Sequence, residues 1–408
     1  AISSKAQPIG YFDGAQDIGT PDKLGADGSS SYDGTTSSYI VNGSGDDVWN
    51  AADAFQYVWK PWSGDFVLTA NVSVTGGLDT QVWIKSMLMA RQDLTPGAAH
   101  ICTRIRRDGE YSMQWRAIGD DTNSKGSTPA ASRKIIPQGA KQKLERQGNL
   151  FTTSYLDEAG QWVVIESHEV VMTDPIYVGL GVTAHDIGQI ATGTFSNVVL
   201  AKPIAGPMSY STDIGEPDRL GAAGSAMFAD GVYTIEGSGD DVWNEKDAFH
   251  YVFTEWTGDF DVIAKVGVSG GLETQAWIKT MIMVRQDTSP GAAHICTRIR
   301  RDGQFSMQWR AASYDTNSKS STAGDKRPVI PNPSLQRFVK QGNLFTTMYQ
   351  NTAGEWITVD AYEVVFAEPF LLGFGVTAHD IGQIATGTVS DIVIEAGASS
   401  AGNWQLFQ

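Results

Sequence analysis

Histidine, arginine and glutamine crowd one side of a hairpin, and the chain contains that hairpin twice. Gly97–Gly109 reads GAAHICTRIRRDG, and Gly291–Gly303 repeats it letter for letter. A three-residue loop, Arg107-Asp108-Gly109 with Gly109 left-handed, sets the cross-strand pairs. Ile101, Thr103, Ile105, Tyr111, Met113 and Trp115 then share a face fit for a core. His100, Cys102, Arg104, Arg106, Glu110, Ser112, Gln114 and Arg116 share the other. A two-residue loop would set Arg104 beside Met113 and mix the two sets, so the hydrophobic pattern selects the longer loop. The second copy repeats the polar face with His294, Arg298, Arg300, Ser306, Gln308 and Arg310. Upstream, Lys85 and Arg91 fall at one parity with Met87 and Met89, and Trp83 joins them; Lys279 and Arg285 are the twins. Arginine and glutamine supply directional hydrogen bonds and tryptophan a stacking face, which suits a groove for a polar or anionic ligand, a sugar foremost. The alternative is a solvated sheet face whose arginines pair with the many aspartates.

Other constellations are less specific. His185-Asp186 and His379-Asp380 close a strand and could supply a base, but no motif places a serine or cysteine nucleophile beside them. Asp46, Asp47, Asn50 and Asp53 cluster in GSGDDVWNAAD, with twins Asp240, Asp241, Asn244 and Asp247. Such a density of oxygen ligands could hold calcium, although the spacing is not that of an EF-hand; helix capping is the competing role. No other cofactor or metal is expected. Trp49 and Trp243, in the same loops, are either stacking platforms or plugs at a sandwich rim. GVSGG at Gly267–Gly271 matches G-x-S-x-G, but its twin SVTGG does not, and both close a strand rather than open a helix. No catalytic residue is therefore assigned. The candidate ligand-binding set is Trp83, Lys85, Arg91, His100, Arg104, Gln114, Arg116 and His185 in the first copy. In the second it is Lys279, Arg285, His294, Arg298, Gln308, Arg310 and His379.

The elements that must position these residues come in two copies. Asp46, His100 and His185 map to Asp240, His294 and His379 at a constant offset of 194 residues. That period is far longer than a solenoid turn and matches a whole domain. Residues 1–202 form the first expected domain and 207–395 the second, with AKPIAGP at Ala201–Pro207 as the link. Residues 396–408 form a tail without a twin, bearing an apolar Trp404–Phe407 end. Period-two alternation dominates: Phe66, Leu68, Ala70, Val72 and Val74 share one face, as do Phe260, Val262, Ala264, Val266 and Val268. The best helical candidate is the short AADAF/EKDAF segment. The expected fold is all-β, two tandem jelly-roll sandwiches.

The 408 residues carry a formal charge of −16, which argues against nucleic acid and anionic membranes as partners. No run of 18 apolar residues occurs, so no membrane span is expected. The start AISSKAQ looks like the end left by signal-peptide removal, which points outside the cell. Cys102 and Cys296 are twins and read as two free thiols rather than a disulfide.

DIGxPDxLG, GSGDDVWNxxDAF, WxGDF, WIKxMxMxRQD, QGNLFTT and TAHDIGQIATGT together resemble secreted bacterial concanavalin A-like (laminin-G-like) jelly-roll modules of largely unknown function. Lys85, Met89 and Arg91, with Lys279, Met283 and Arg285, fall on that family's A-K-x-G-x-M-x-R strand. Met87 and Met281 stand where it usually has glycine, and Lys340 replaces Arg146 before the second Q-G-N. The resemblance implies two packed antiparallel sheets, often with a concave carbohydrate-facing side, and no particular activity.

The expected function is that of a secreted, non-catalytic module pair that binds extracellular polysaccharide or serves as a surface or matrix component. Homotypic assembly into a filament or matrix is one alternative. A polysaccharide lyase using Arg104, Gln114, Arg116 and His100 on a uronate is another. Gly126–Glu145 diverges strongly from Ser320–Val339, whereas the polar hairpin and the His-Asp strand do not.

Overall fold

A computed structural model of the chain describes residues 8–397. It divides into two compact units, Ala1–Ala201 and Lys202–Gln408. Most of the apolar tail, residues 398–408 with Trp404–Phe407, lies outside the described residues, as does the AISSKAQ start.

Each unit is an all-β sandwich of two antiparallel sheets. In the first unit one sheet runs Gly14–Ile18, Phe55–Trp62, Ile176–Thr183, Lys85–Arg91, His100–Arg106, Glu110–Arg116, Lys134–Ile135, and Lys125–Ser127 also pairs with Glu110–Arg116. The facing sheet contains Trp162–Glu169, Leu150–Leu156, Lys141–Gln147, Phe66–Gly76, Asp186–Pro203, Ser38–Gly45 and Ser29–Asp33. Neighbours in space are mostly distant in sequence, as long-range antiparallel pairing in a sandwich requires. The second unit repeats the site-bearing strands as Lys279–Arg285, His294–Arg300 and Phe305–Arg310.

The alternating pattern explains the packing. Phe66, Leu68, Ala70 and Val72 are buried between the sheets, with Val74 partly buried against the same core. The hairpin register runs His100↔Arg116, Ile101↔Trp115, Cys102↔Gln114, Thr103↔Met113, Arg104↔Ser112, Ile105↔Tyr111. Gly109 closes it at φ 83°, a left-handed conformation that a side chain would strain. Ile101, Ile105, Tyr111 and Met113 enter the inter-sheet core.

The opposite face departs from expectation. A second small core lies on it, formed by Cys102, Met87, Met89, Ile18, Val48, Phe55 and Tyr57. The Asp46–Ala54 loop supplies the cover, through Val48. AADAF is not helical; among the described residues the α-helices are single turns, Pro21–Leu24 and Pro217–Leu220, each closed by a left-handed glycine. Tertiary bonds hold the AADAF segment open: Asp53 N–H donates to Pro96 O at 2.9 Å and Ala54 N–H to Asp47 O at 2.8 Å. No helix among the described residues is long and apolar enough to cross a membrane.

Candidate functional site

Six of the fifteen candidate residues are not in a groove. Arg91, His100 and Arg116 lie beneath the Asp46–Ala54 loop, clamped on Asp53, with all four side chains essentially inaccessible to water. Arg116 donates to Asp53 from both terminal nitrogens, Nη1 to Oδ1 at 2.9 Å and Nη2 to Oδ2 at 2.7 Å, and Nη2 also reaches Ala98 O at 2.8 Å. Arg91 Nη1 donates to Asp53 Oδ2 at 2.5 Å and Nη2 to Thr95 O at 2.7 Å. Arg285, His294 and Arg310 repeat the clamp on Asp247. The sheet face was read correctly as polar; the error lay in leaving it uncovered. A buried carboxylate between two guanidinium groups is a structural device here, closed to any ligand. Burial opposes ionisation of Asp53, but the surrounding His100, Arg91 and Arg116 outweigh it and hold the carboxyl below its usual range. Burial pushes His100 down to about 3 and His294 to about 4 despite the neighbouring aspartate, so both rings are neutral near pH 7.

The remaining candidates converge. Trp83, Lys85, Arg104, Gln114 and His185 line one cavity of about 280 Å³, together with Asp47, Trp49, Ser127 and Arg133. Lys279, Arg298, Gln308 and His379 line its twin of about 260 Å³, with Trp277, Asp241, Trp243, Ser321 and Arg327. The two linings match position by position. Strand alternation brings up Lys85, Arg104 and Gln114; the covering loop delivers Asp47 and Trp49; the end of Ile176–Thr183 and its following turn deliver His185.

Polar partners fix each wall. Lys85 Nζ donates to Asp47 Oδ1, and His185 Nδ1 lies 3.5 Å from Asp47 Oδ2, longer than a good hydrogen bond. Gln114 Nε2 donates to Val48 O, which pins the loop to the pocket floor. Arg104 Nε donates to Ser112 Oγ at 2.7 Å. His185 and His379 both hold φ of 53°, a left-handed conformation uncommon outside glycine and concentrated at functional positions. Gln81 Nε2 helps hold that turn by donating to His185 O at 3.1 Å. Burial raises Asp47 in principle, but His185 and Lys85 overcome it, and the carboxyl sits below the usual carboxylate range. Burial lowers Lys85, with Asp47 partly offsetting it. Burial likewise lowers Arg298 to about 10.

The tryptophans are partly open. Trp83 is 39% exposed and Trp277 42%, with Arg106 4.1 Å above one ring and Arg300 3.8 Å above the other. Trp49 and Trp243 carry Lys125 and Lys319 ammonium groups at 4.8 and 5.0 Å and line the cavities rather than plugging a sandwich rim. The carboxylates considered for calcium are not a shared oxygen cage: Asp46 pairs with Lys23 at 2.8 Å, Asp47 with Lys85, and Asp53 with Arg91 and Arg116. The Cys102 and Cys296 thiols are free and buried, and burial pushes each up to about 12, which removes them as nucleophiles near neutrality.

Sequence reasoning missed Asp47, Ser127 and Arg133 as pocket residues, and their twins with them. Asp47 is visible in the repeated GSGDDVWN, where its type suggests calcium or helix capping rather than a pocket wall. Ser127 and Arg133 lie in the segment that diverges between copies, where twin comparison pointed away from function. It also missed Ser211, His250 and Asp213. Ser211 Oγ is 2.7 Å from His250 Nε2, and His250 Nδ1 is 2.7 Å from Asp213 Oδ1. That is the order of a nucleophilic triad. Ser211 is only 4% exposed, however, and sits mid-strand, paired with Lys202 on one side and Val252 on the other. The ladder takes up the backbone N–H groups that an oxyanion would need, so the arrangement is a buried polar relay. The first copy has Gln56 at the histidine position, donating to Ser30 Oγ at 3.1 Å.

No protein-family model and no curated protein sequence matches the chain. Among solved structures, a functionally unknown protein from Saccharomyces cerevisiae aligns at 17% identity and TM-score 0.35, over 46% of this chain and 96% of its own. A Lotus tetragonolobus seed lectin aligns at 9% identity and TM-score 0.28, over 49% of this chain and 97% of its own. The GH43 protein BlXynB from Bacillus licheniformis aligns at 9% identity and TM-score 0.35, over 96% of this chain and 99% of its own. Likenesses of this grade decide neither fold nor function; the assignment of two all-β sandwiches rests on the strand pairing itself.

Proposed function

We propose that the protein is a secreted, non-catalytic pair of β-sandwich modules that binds an extracellular polysaccharide, one short stretch of glycan in each pocket. The observation that carries this reading is the duplicated lining: two cavities of nearly equal volume, each walled by two tryptophans, two arginines, a lysine, a glutamine, a serine, a histidine and an aspartate. Aromatic faces beside fixed hydrogen-bond donors suit the flat apolar face and hydroxyl rim of a sugar ring. A volume near 300 Å³ is at the small end for ligand sites and suits a sugar unit rather than a protein segment. Catalysis fits the lining less well. The one carboxylate in the lining, Asp47, is tied to Lys85, and Glu110 behind the wall is engaged by Arg104 and Arg133, so no free pair of carboxylates faces the cavity for acid–base work on a glycosidic bond. Duplication of a binding site raises avidity on a repetitive polymer without any new contact.

Affinity electrophoresis through gels containing neutral or acidic polysaccharides tests the reading. Retardation by at least one polymer, lost in the Trp83→Ala/Trp277→Ala double variant, is expected. Mobility unchanged in every polymer would refute it. Release of unsaturated uronate, followed by its ultraviolet absorbance, would establish the lyase instead.

A further inference from the structure

The two pockets match in every lining residue type but differ in what stands next to the arginines. In the first copy Glu110 Oε1 accepts from Arg104 Nη2 at 3.3 Å and Arg133 Nη1 at 3.2 Å, and Arg106 Nη1 stands 3.2 Å away as a third ion-pair partner. The twin position holds Gln304. Its neutral amide oxygen accepts from Arg300 Nη1 at 3.0 Å. Arg298 keeps the bond to Ser306 Oγ at 2.8 Å, and Arg327 bonds to Thr322 O at 2.7 Å and Ser321 Oγ at 2.8 Å. Among the described residues, neither Arg298 nor Arg327 forms an ion pair. Both pockets hold one lysine and two arginines. In the first, two carboxylates, Asp47 and Glu110, answer three cations; in the second, Asp241 alone answers three.

Arg298 is only 3% exposed. A guanidinium withdrawn from water with no ion pair of its own, its pocket's one carboxylate already bound to Lys279, is costly, and a ligand anion entering the cavity would supply the missing charge. Resting on the glycan reading above, we infer that the second pocket is an acidic-sugar subsite. It takes a glycan unit carrying a carboxylate or sulfate ester, and the first pocket holds the same unit more weakly or takes a neutral neighbour. The shared chemistry is a sugar with a fixed negative charge, recognised by Arg298 and Arg327 in forked geometry.

The test is calorimetric titration of the full chain with three probes of equal length: a galacturonate pentamer, a sulfated galactan pentamer and a neutral galactan pentamer. An anionic probe should show a tight and a weak site separated by about tenfold. One added charge in a half-desolvated site falls between the small worth of an exposed pair and the large worth of a buried one. Gln304→Glu should reduce the tight site to the weak one. Glu110→Gln should raise the weak site to match the tight one, and 0.5 M salt should compress the difference. Whichever anionic probe gives the wider split identifies the charged group. Equal sites for both anionic probes in the unaltered chain, or a tight site untouched by Gln304→Glu, would overturn the inference. Neutral and charged pentamers of equal affinity would overturn charge selection and leave the glycan reading standing. Silence from all three probes, if gel retardation is also absent, removes both.

Discussion

Replacing Asp53 with asparagine should destabilise the first sandwich severely and leave the second intact. The substitution keeps the size of the side chain and removes its charge. Two guanidinium groups, Arg91 and Arg116, then lose the carboxylate that accepts three of their bonds, at 2.5, 2.9 and 2.7 Å, inside a region closed to water. Asparagine has one acceptor oxygen, and its NH2 group would face donors. Removing one partner of a buried ion pair costs about 3–5 kcal/mol, because the surviving charge stays buried. In a domain of this size each kcal/mol moves the melting midpoint by about 2–4 °C, so a fall of roughly 8–16 °C is expected for a loss of about 4 kcal/mol. Hydrogen exchange at increasing urea, read by mass spectrometry on peptides from each unit, separates the two domains. Peptides from 55–62 and 85–116 should lose protection early, while those from 249–256 and 279–310 serve as the internal reference. Asp247→Asn should reverse the pattern. A loss below about 1 kcal/mol would refute the idea that the clamp is a structural keystone and would return Arg91 and Arg116 to the list of groups available to a ligand.

Two further outcomes follow from other buried groups. His100 and His294 have folded pKa values pushed by burial to about 3 and about 4, below the ordinary histidine value of about 6.5. The unfolded chain therefore binds protons that the folded chain refuses, and stability is lost as pH falls from about 6.5 toward those values. Between pH 6.5 and 5 each domain should lose about 2 kcal/mol, measured as a shift in urea midpoint, and His100→Gln should flatten the dependence in the first domain only. A midpoint that rises on acidification across that window would contradict the neutral-ring assignment. Ser211, despite its hydrogen bond to His250, should not react with a fluorophosphonate probe, because its amide surroundings are committed to the sheet; stoichiometric labelling at Ser211 would make it a nucleophile after all.

How much of this was legible in the sequence depends on which kind of contact is involved. The hairpin register followed from alternation alone: one loop length puts every apolar residue on one face, and the pairing from His100↔Arg116 to Ile105↔Tyr111 agrees. Phe66–Val74 was equally plain. What alternation does not convey is whether a polar face is covered. The cover comes from a loop some 63 residues distant from Arg116, joined to it by the Asp53 bonds, and a period-two pattern carries no trace of such a contact. The clue lay in the acid count: three aspartates repeated in a loop that differs between the copies at only two positions, opposite four repeated arginines and a lysine. The helical reading of AADAF failed for the same reason, since backbone bonds to Pro96 and Asp47 override a propensity worth a few tenths of a kcal/mol. Arg133 escaped because it sits where the copies differ most.

Identity between the two copies mixes two kinds of constraint. The Asp53 clamp and the cavity lining are both repeated faithfully, yet one is sealed and the other open to solvent. Sequence identity alone assigns both to function, as it did when Arg91, His100 and Arg116 were grouped with Arg104 and Gln114. Burial separates them. Once separated, a difference between the copies carries more information than a match. The clamp tolerates no exchange of charge, because its two guanidinium groups depend on one shared carboxylate with no water to absorb the change. The cavity tolerates Glu110 against Gln304 without altering the lining or the register of the strands around it, and the substitution changes only the charge offered to whatever enters. A fold-neutral exchange at the one carboxylate shared by two pocket arginines is what divergence of ligand preference between duplicated sites would produce. The same exchange in a purely structural pair would leave Arg298 buried without compensation for no return in binding.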